Sequence, residues 1–202
     1  MKTVIVIGAA GKMGQAALSG LSRHHVITAS RSGKGCDHKV DITSKVSIRK
    51  LFEAVGEFDA VVNTVGQCEY SSFQTMTDEQ WEVTVQSKML GQINIVKVGL
   101  TYIKDGGSFT LISGILNIKP VPQGIADATT SGAIDTFVKC VANELPRGIR
   151  INVVNPTVLK EAWDVYGEMM PGFQPVPGEL VGKAFERSVD GFITGQVLFV
   201  DA

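Results

Sequence analysis

Three glycines, Gly8, Gly11 and Gly14, stand between the β-branched run Thr3–Ile7 and the helically spaced Met13, Ala17, Leu18 and Leu21. That context gives the spacing a chemistry. Gly8 would make the turn out of a strand, Gly11 would let backbone approach a pyrophosphate, and Gly14 would let helix and strand pack closely. The phosphates would then meet the unpaired N–H groups and the positive end of the helix, with Lys12 and Met13 inside the same loop. The pattern predicts a dinucleotide site, against the plainer reading of a structural turn. The end of the second strand selects between nicotinamide cofactors, because NAD wants a carboxylate on its ribose hydroxyl and NADP wants cations on its 2′-phosphate. Ser30-Arg31-Ser32 offers a cation and no acid before Asp37, with Lys34 nearby. Arginine suits a phosphate because its planar fork makes paired hydrogen bonds. NADP is therefore expected rather than NAD.

Other chemistries are poorly supported. Cys36 and His38 would make half a metal site, but no second pair exists and no metal is expected. The cysteines (Cys36, Cys68, Cys140) are widely spaced and odd in number, which fits reduced thiols and a cytoplasmic setting. Lys plus Arg number 19 against 20 Asp plus Glu, a net charge of −1, so the basic excess of a nucleic-acid binder is missing. No apolar stretch approaches the ~20 residues that cross a bilayer, and the opening MKTVIVIGAAG is too short an apolar run for a signal peptide.

The elements that must position these residues follow from periodicity. The chain has 202 residues, 44% of them hydrophobic, enough for one compact domain with its own core. Strands are expected at Thr3–Ile7, Val26–Ala29, Lys39–Ile42, Ala60–Val65, Ser108–Ile112, Ile149–Val154 and Gln196–Val200. Helices are expected after Gly11, over Val46–Val55, from Thr77 until Gly106-Gly107, over Asp127–Leu145 and over Leu180–Ser188. In the Thr77 helix, Trp81, Val85, Met89, Ile93, Val96 and Leu100 form an apolar stripe. Residues 156–178 hold Pro171, Pro175, Pro177 and several large apolar side chains, a long loop with a helical piece. Alternating strands and helices predict one doubly wound α/β domain over 1–202, with a parallel sheet of about seven strands and helices on both faces.

The chain resembles the short-chain dehydrogenase/reductase family almost end to end. The glycine loop corresponds to the family's cofactor loop, with GxxGxxG spacing in place of the usual GxxxGxG. Asp41-Ile42-Thr43 is similar to the adenine-contacting segment, and Asn63-Thr64-Val65-Gly66 stands where the family has Asn-Asn-Ala-Gly. Pro146–Asn152 with Asn155-Pro156, Thr194-Gly195-Gln196 and Val200-Asp201 match the closing strands. The resemblance implies a Rossmann-type domain with Gly8, Gly11, Lys12, Met13, Gly14, Ser30, Arg31, Asp41, Ile42, Asn63, Thr64, Val65, Gly66 and Pro156 at the cofactor.

Family members transfer hydride using an Asn, a Ser, a Tyr and a Lys four residues after the Tyr. In register, those places fall on Lys88, Gly114, Asp127 and Ser131, a departure at all four. A carboxylic acid with a reference pKa near 3.9 is an ion near neutral pH and cannot donate as a phenol does. Two charged side chains at facing positions predict an ion pair between Lys88 and Asp127, against the plainer readings of a helix-terminal carboxylate and a snorkelling lysine. Ser113 could still touch a ligand, and Tyr70 or Tyr166 could supply a relocated acid. Thr157 replaces the glycine that usually follows the proline.

Two functions follow. The first is an NADP-dependent oxidoreductase with a rearranged site acting on a small, partly apolar molecule, given the lid of Trp163, Tyr166, Met169, Met170 and Phe173. The second is a non-catalytic NADP(H)-binding sensor or partner module. A third, in which no cofactor binds, is weaker. The family's habit of pairing through its two long helices implies a homo-oligomer, dimer or tetramer.

Overall fold

The computed structural model describes residues 1–201. Strand β1 (Thr3–Ile7) alternates its side chains between two faces of the sheet. Val4 and Val6 join one core layer; Ile5 and Ile7 join the other. All four are 0–1% exposed, which is why the run is apolar at every position rather than at every second one. Helix α1 (Lys12–Gly20) follows, then β2 (His25–Ser30), β3 (His38–Lys39), α2 (Lys45–Val55) and β4 (Phe58–Asn63). Next come α3 (Asp78–Thr84), a π-helical turn over Val85–Gly91, and α4 (Gln92–Gly99). The second half holds β5 (Ile103–Ile112), α5 (Ile125–Val141), β6 (Arg150–Pro156), the short α6 (Trp163–Tyr166), α7 (Gly178–Asp190) and β7 (Val197–Val200).

The strands form a sheet of seven in the order β3-β2-β1-β4-β5-β6-β7, every neighbouring pair parallel. Strand order reverses between β1 and β4, and a crevice opens at the carboxyl ends of those two strands. Helices α1 and α7 cover the Val4–Val6 face. They touch so closely that a Cβ on Gly20 would lie 2.1 Å from the Gly182 carbonyl oxygen. The opposite layer packs Phe52, Phe58, Phe109 and Ile134 under α2, α4 and α5.

Several boundaries differ from the sequence expectation for identifiable reasons. β3 keeps only two residues, because the Asp41 carboxylate accepts from the Thr43 N–H and hydroxyl and turns the chain. Gly106-Gly107 does not end the long helix; α4 stops at Gly99, and the glycines lie within β5, with Gly106 at φ +72°. β6 runs through Pro156, which pairs with Val200 at its last position. The apolar stripe of the long helix is only half-buried at Trp81, Val85, Met89 and Ile93. Val96 of the stripe is buried in the core, with Met89, Ile93 and Leu100 packed against it, and the most buried face of the helix is Thr84, Lys88, Gln92, Ile95 and Gly99. Small and polar residues occupy it because it meets the crevice as well as the core.

Candidate functional site

At the end of β1 the chain turns at Gly8, whose φ of +92° and whose crowding by Val65 and Thr64 (2.2 and 2.5 Å from a would-be Cβ) both require glycine. Gly14 is equally constrained, since a Cβ there would lie 2.1 Å from the Gly8 carbonyl oxygen. Gly11 is different. A Cβ there would meet only the Gly8 carbonyl oxygen, at 3.5 Å, so nothing in the protein crowds it and the space above it is open. Gly11 also begins α1 with no capping side chain and no acid in the first turn. The first N–H groups of the helix are left for an anion, and this loop fits a pyrophosphate.

Beside the loop lies a cavity of about 470 Å³, bordered by Ser30, Arg31, Asp41, Ile42, Thr64–Gln67 and Ser87. Arg31 is exposed and its guanidinium donates to Gln67 Oε1 at 3.3 Å. Ser30 accepts from the Gly33 N–H and Thr64 donates to the Ile7 carbonyl, so both hydroxyls already serve the walls. Asn63 is fully buried and borders neither cavity; its amide donates to the Val65 carbonyl and to Gln92. Lys12 and Met13 border the second cavity, and the Lys12 ammonium donates to the Glu161 carbonyl in the lid.

That second cavity, about 410 Å³, is walled by Ile112–Leu116, Pro156–Leu159 and the lid residues Tyr166, Met169 and Met170. The π-helical turn presents Lys88 to it. The extra residue per turn leaves the Lys88 carbonyl to be satisfied by the Gln92 amide at 2.7 Å, which also donates to the Ile112 carbonyl. Gly66 lets this turn approach, since a Cβ there would press on Lys88 at 2.9–3.1 Å. Lys88 Nζ lies 2.7 Å from Asp127 Oδ1, with the two side chains only 9% and 10% exposed. Asp127 also accepts from Ser131 Oγ at 2.9 Å and, on Oδ2, from the Tyr70 hydroxyl at 2.9 Å. A Cβ on Gly114 would stand 3.7, 3.8 and 3.9 Å from Ser131 Oγ, Asp127 Oδ1 and Lys88 Nζ. Lys88, Gly114, Asp127 and Ser131, the four residues that the sequence register singled out, thus meet at one point.

Burial pushes the Asp127 carboxyl up, but Lys88 and the Ser131 and Tyr70 hydroxyls outweigh it and hold the carboxyl below its ordinary value. Burial likewise lowers Lys88, and the carboxylate more than reverses it. Both therefore stay ions across neutral pH. Burial, then the Asp127 charge, pushes the Tyr70 phenol up, so it remains a neutral donor. The nearby Cys68 thiol is pushed up to about 12, chiefly by burial, and is no nucleophile. The Ser113 and Thr157 hydroxyls, both bordering the cavity, are buried without a partner among the described residues. Such groups cost about 1–3 kcal/mol each unless a ligand or water meets them.

Sequence reasoning missed Gln92 and Thr157 in these roles and treated Tyr70 only as a stray acid. Gln92 looked like one polar residue on a helix, and Tyr70 sits in a segment with no periodicity. Gly114 has extended backbone (φ −176°) and room for a Cβ, so Gly114→Val is expected to fold normally while filling the cavity over the ion pair. Unfolding in urea at the midpoint of the unmodified chain would fit; a large loss of stability would show that the position has no room for a side chain.

A family model described as Enoyl-(Acyl carrier protein) reductase matches residues 16–174. The chain is 43% identical to the protein lin1944 of Listeria innocua, whose crystal structure superposes with a TM-score of 0.96 over 99% of this chain and 100% of that one. A small-chain dehydrogenase solved in complex with NADPH is 26% identical, with a TM-score of 0.87 over 98% and 96% of the two chains. An uncharacterized oxidoreductase of Methylorubrum extorquens is 31% identical over 135 residues, 64% of this chain and 54% of that one. General stress protein 39 of Bacillus subtilis is 28% identical over 77% of this chain and 59% of its own length. The chain thus spans little more than half the length of those two curated relatives. With most of its length matched, its fold shared and its glycine loop in place, the chain belongs to the short-chain dehydrogenase/reductase family.

Proposed function

We propose that the chain is a cytoplasmic NADP(H)-dependent oxidoreductase that reduces a small, partly apolar carbonyl compound, with Lys88 as proton donor in place of the family's tyrosine. The observation that carries this is the buried Lys88–Asp127 pair at the floor of a cavity adjoining the cofactor crevice. A buried pair is no bargain for stability compared with packed apolar residues, which makes a chemical use the better account of it.

NADPH, when bound, supplies hydride to the carbonyl carbon. The carbonyl oxygen then needs a proton, and the Lys88 ammonium holds one. Asp127 keeps that ammonium in place through Oδ1 and remains its partner after the proton has left. Solvent returns a proton to the amine when the lid opens. The Ser113 hydroxyl, without a partner among the described residues, would donate to the substrate oxygen. The apolar walls at Ile115, Leu116 and Met170 exclude water from the exchange.

The NADPH complex of the 26%-identical relative supports the choice of cofactor, and Arg31, an exposed cation bordering the cavity beside the glycine loop, would hold its 2′-phosphate. Arg31→Ala is expected to weaken NADPH binding by about 10–100-fold, the loss of one charge-assisted hydrogen-bonded pair, and to leave NADH within about threefold. Equal losses for both cofactors would remove Arg31 from that role.

The test of function is NADPH consumption with a panel of apolar ketones and quinones, beside fluorescence titration of NADPH. Consumption that disappears in Lys88→Met supports the reading. Firm binding with no consumption by any compound would make the chain a binding module. The half-buried stripe of Trp81, Val85, Met89 and Ile93 suits a second copy of the chain, so a dimer or tetramer is expected in sedimentation.

A further inference from the structure

We propose that Tyr70 is a positioning residue for the Lys88–Asp127 pair, fixing the carboxylate so that Lys88 keeps one N–H turned to the cavity. The inference deepens the reading above and rests on it only for the catalytic part. Asp127 has two oxygens and three donors. Lys88 and Ser131 share Oδ1, and Tyr70 alone holds Oδ2. Without that third donor the carboxylate can rotate about its Cβ–Cγ bond and take the ammonium with it.

Tyr70 lies outside every helix and strand, yet its position is well determined. On either side of it the Glu69 N–H donates to Thr84 Oγ1 and the Ser71 N–H to the Gln123 carbonyl. Its ring faces Tyr166 of the lid at 6.1 Å between centroids, inclined by 52°. One side chain therefore touches the ion pair through its hydroxyl and the lid through its ring. The titratable groups facing Asp127 are Lys88 from the π turn and Tyr70 and Cys68 from the segment after β4. Tyr166 adds to these through Tyr70.

Tyr70→Phe keeps the ring and its lid contact and removes only the hydroxyl. The first readout is stability in urea across acid pH. The Asp127 carboxyl is held below its ordinary value, so its contribution is present above that value and lost as pH falls through the depressed one. Removing the Tyr70 donor raises the carboxyl toward its ordinary value, so in Tyr70→Phe the acid loss should be smaller and complete at higher pH than in the unmodified chain. In an Asp127→Asn background the same change should move nothing. The second readout is turnover, in which kcat should fall about tenfold or more while KM stays within about twofold, as for a misplaced donor. Superimposable acid profiles with and without the hydroxyl would overturn the proposal. So would a kcat unchanged by Tyr70→Phe in a chain that turns over. If no carbonyl is reduced but the acid profile shifts as expected, the oxidoreductase reading falls and the positioning role of Tyr70 stands.

Discussion

Lys88→Met is expected to lower the unfolding free energy by about 3–5 kcal/mol, because it leaves the Asp127 carboxylate buried beside two hydroxyls with no counter-ion. Asp127→Asn should cost a similar amount for the mirrored reason, a buried ammonium left without its carboxylate. The double variant Lys88→Met/Asp127→Asn should recover most of the loss, since no uncompensated charge remains. It should nonetheless reduce no carbonyl, and loss of the proton donor alone corresponds to about 10²–10⁴-fold in rate. Urea denaturation and turnover on the same four proteins separate the two effects. Stability that falls additively in the double variant would mean the charges do not interact.

The sign of the pH dependence follows from the same pair. Asp127, held below its ordinary value, contributes stability that disappears only when pH falls through the depressed pKa. Lys88, held above its ordinary value, contributes stability that disappears only when pH rises through the raised pKa. Both contributions are intact between the ordinary pKa values of the two groups and shrink outside them. Turnover should therefore be flat across neutral pH, failing first on the acid side where Asp127 protonates and on the alkaline side where Lys88 loses its proton.

The second large effect is expected at the glycine loop. Gly14→Ala would place a methyl 2.1 Å from the Gly8 carbonyl oxygen and 2.7 Å from Ala9 Cα, both backbone atoms that cannot swing aside. The loop must move, at a cost of about 3 kcal/mol or more. NADPH affinity should drop by about 100-fold or more as the helix N–H groups lose the phosphates. Gly11→Ala is the contrast. Its methyl meets only one oxygen, at 3.5 Å, so stability should hold while NADPH binding falls. If Gly11→Ala binds NADPH normally, the open space above that glycine is not where the phosphates sit.

Much of this was legible in the chain. Apolar runs such as Val4–Ile7 and Ala60–Val62, separated by helical spacings, specify a parallel sheet, because only strands covered on both faces need so little polarity. The glycine loop was legible because each glycine has a separate steric duty. Register through the long helices, carried by the family pattern, was enough to set Lys88 against Asp127. The orientation of the long helix was not legible. Its apolar stripe at Trp81, Val85 and Met89 is not its most buried face, which carries Thr84, Lys88 and Gln92. Periodicity locates an apolar face but does not say whether sheet or another surface covers it, and it cannot register a π turn of seven residues. Tyr70 was hidden for a related reason. A side chain in an aperiodic segment acquires its partner only when the helix carrying Asp127 is folded beside it.

Single-turnover kinetics of NADPH-loaded protein mixed with an apolar quinone, comparing the unmodified chain with the double variant Lys88→Met/Asp127→Asn, bears most directly on the claim that a charge pair has taken over the work of a phenol. The nicotinamide absorbance should decay in the first and persist at least about 100-fold longer in the second, with equal NADPH affinity in both. Equal decay rates in the two proteins would contradict it.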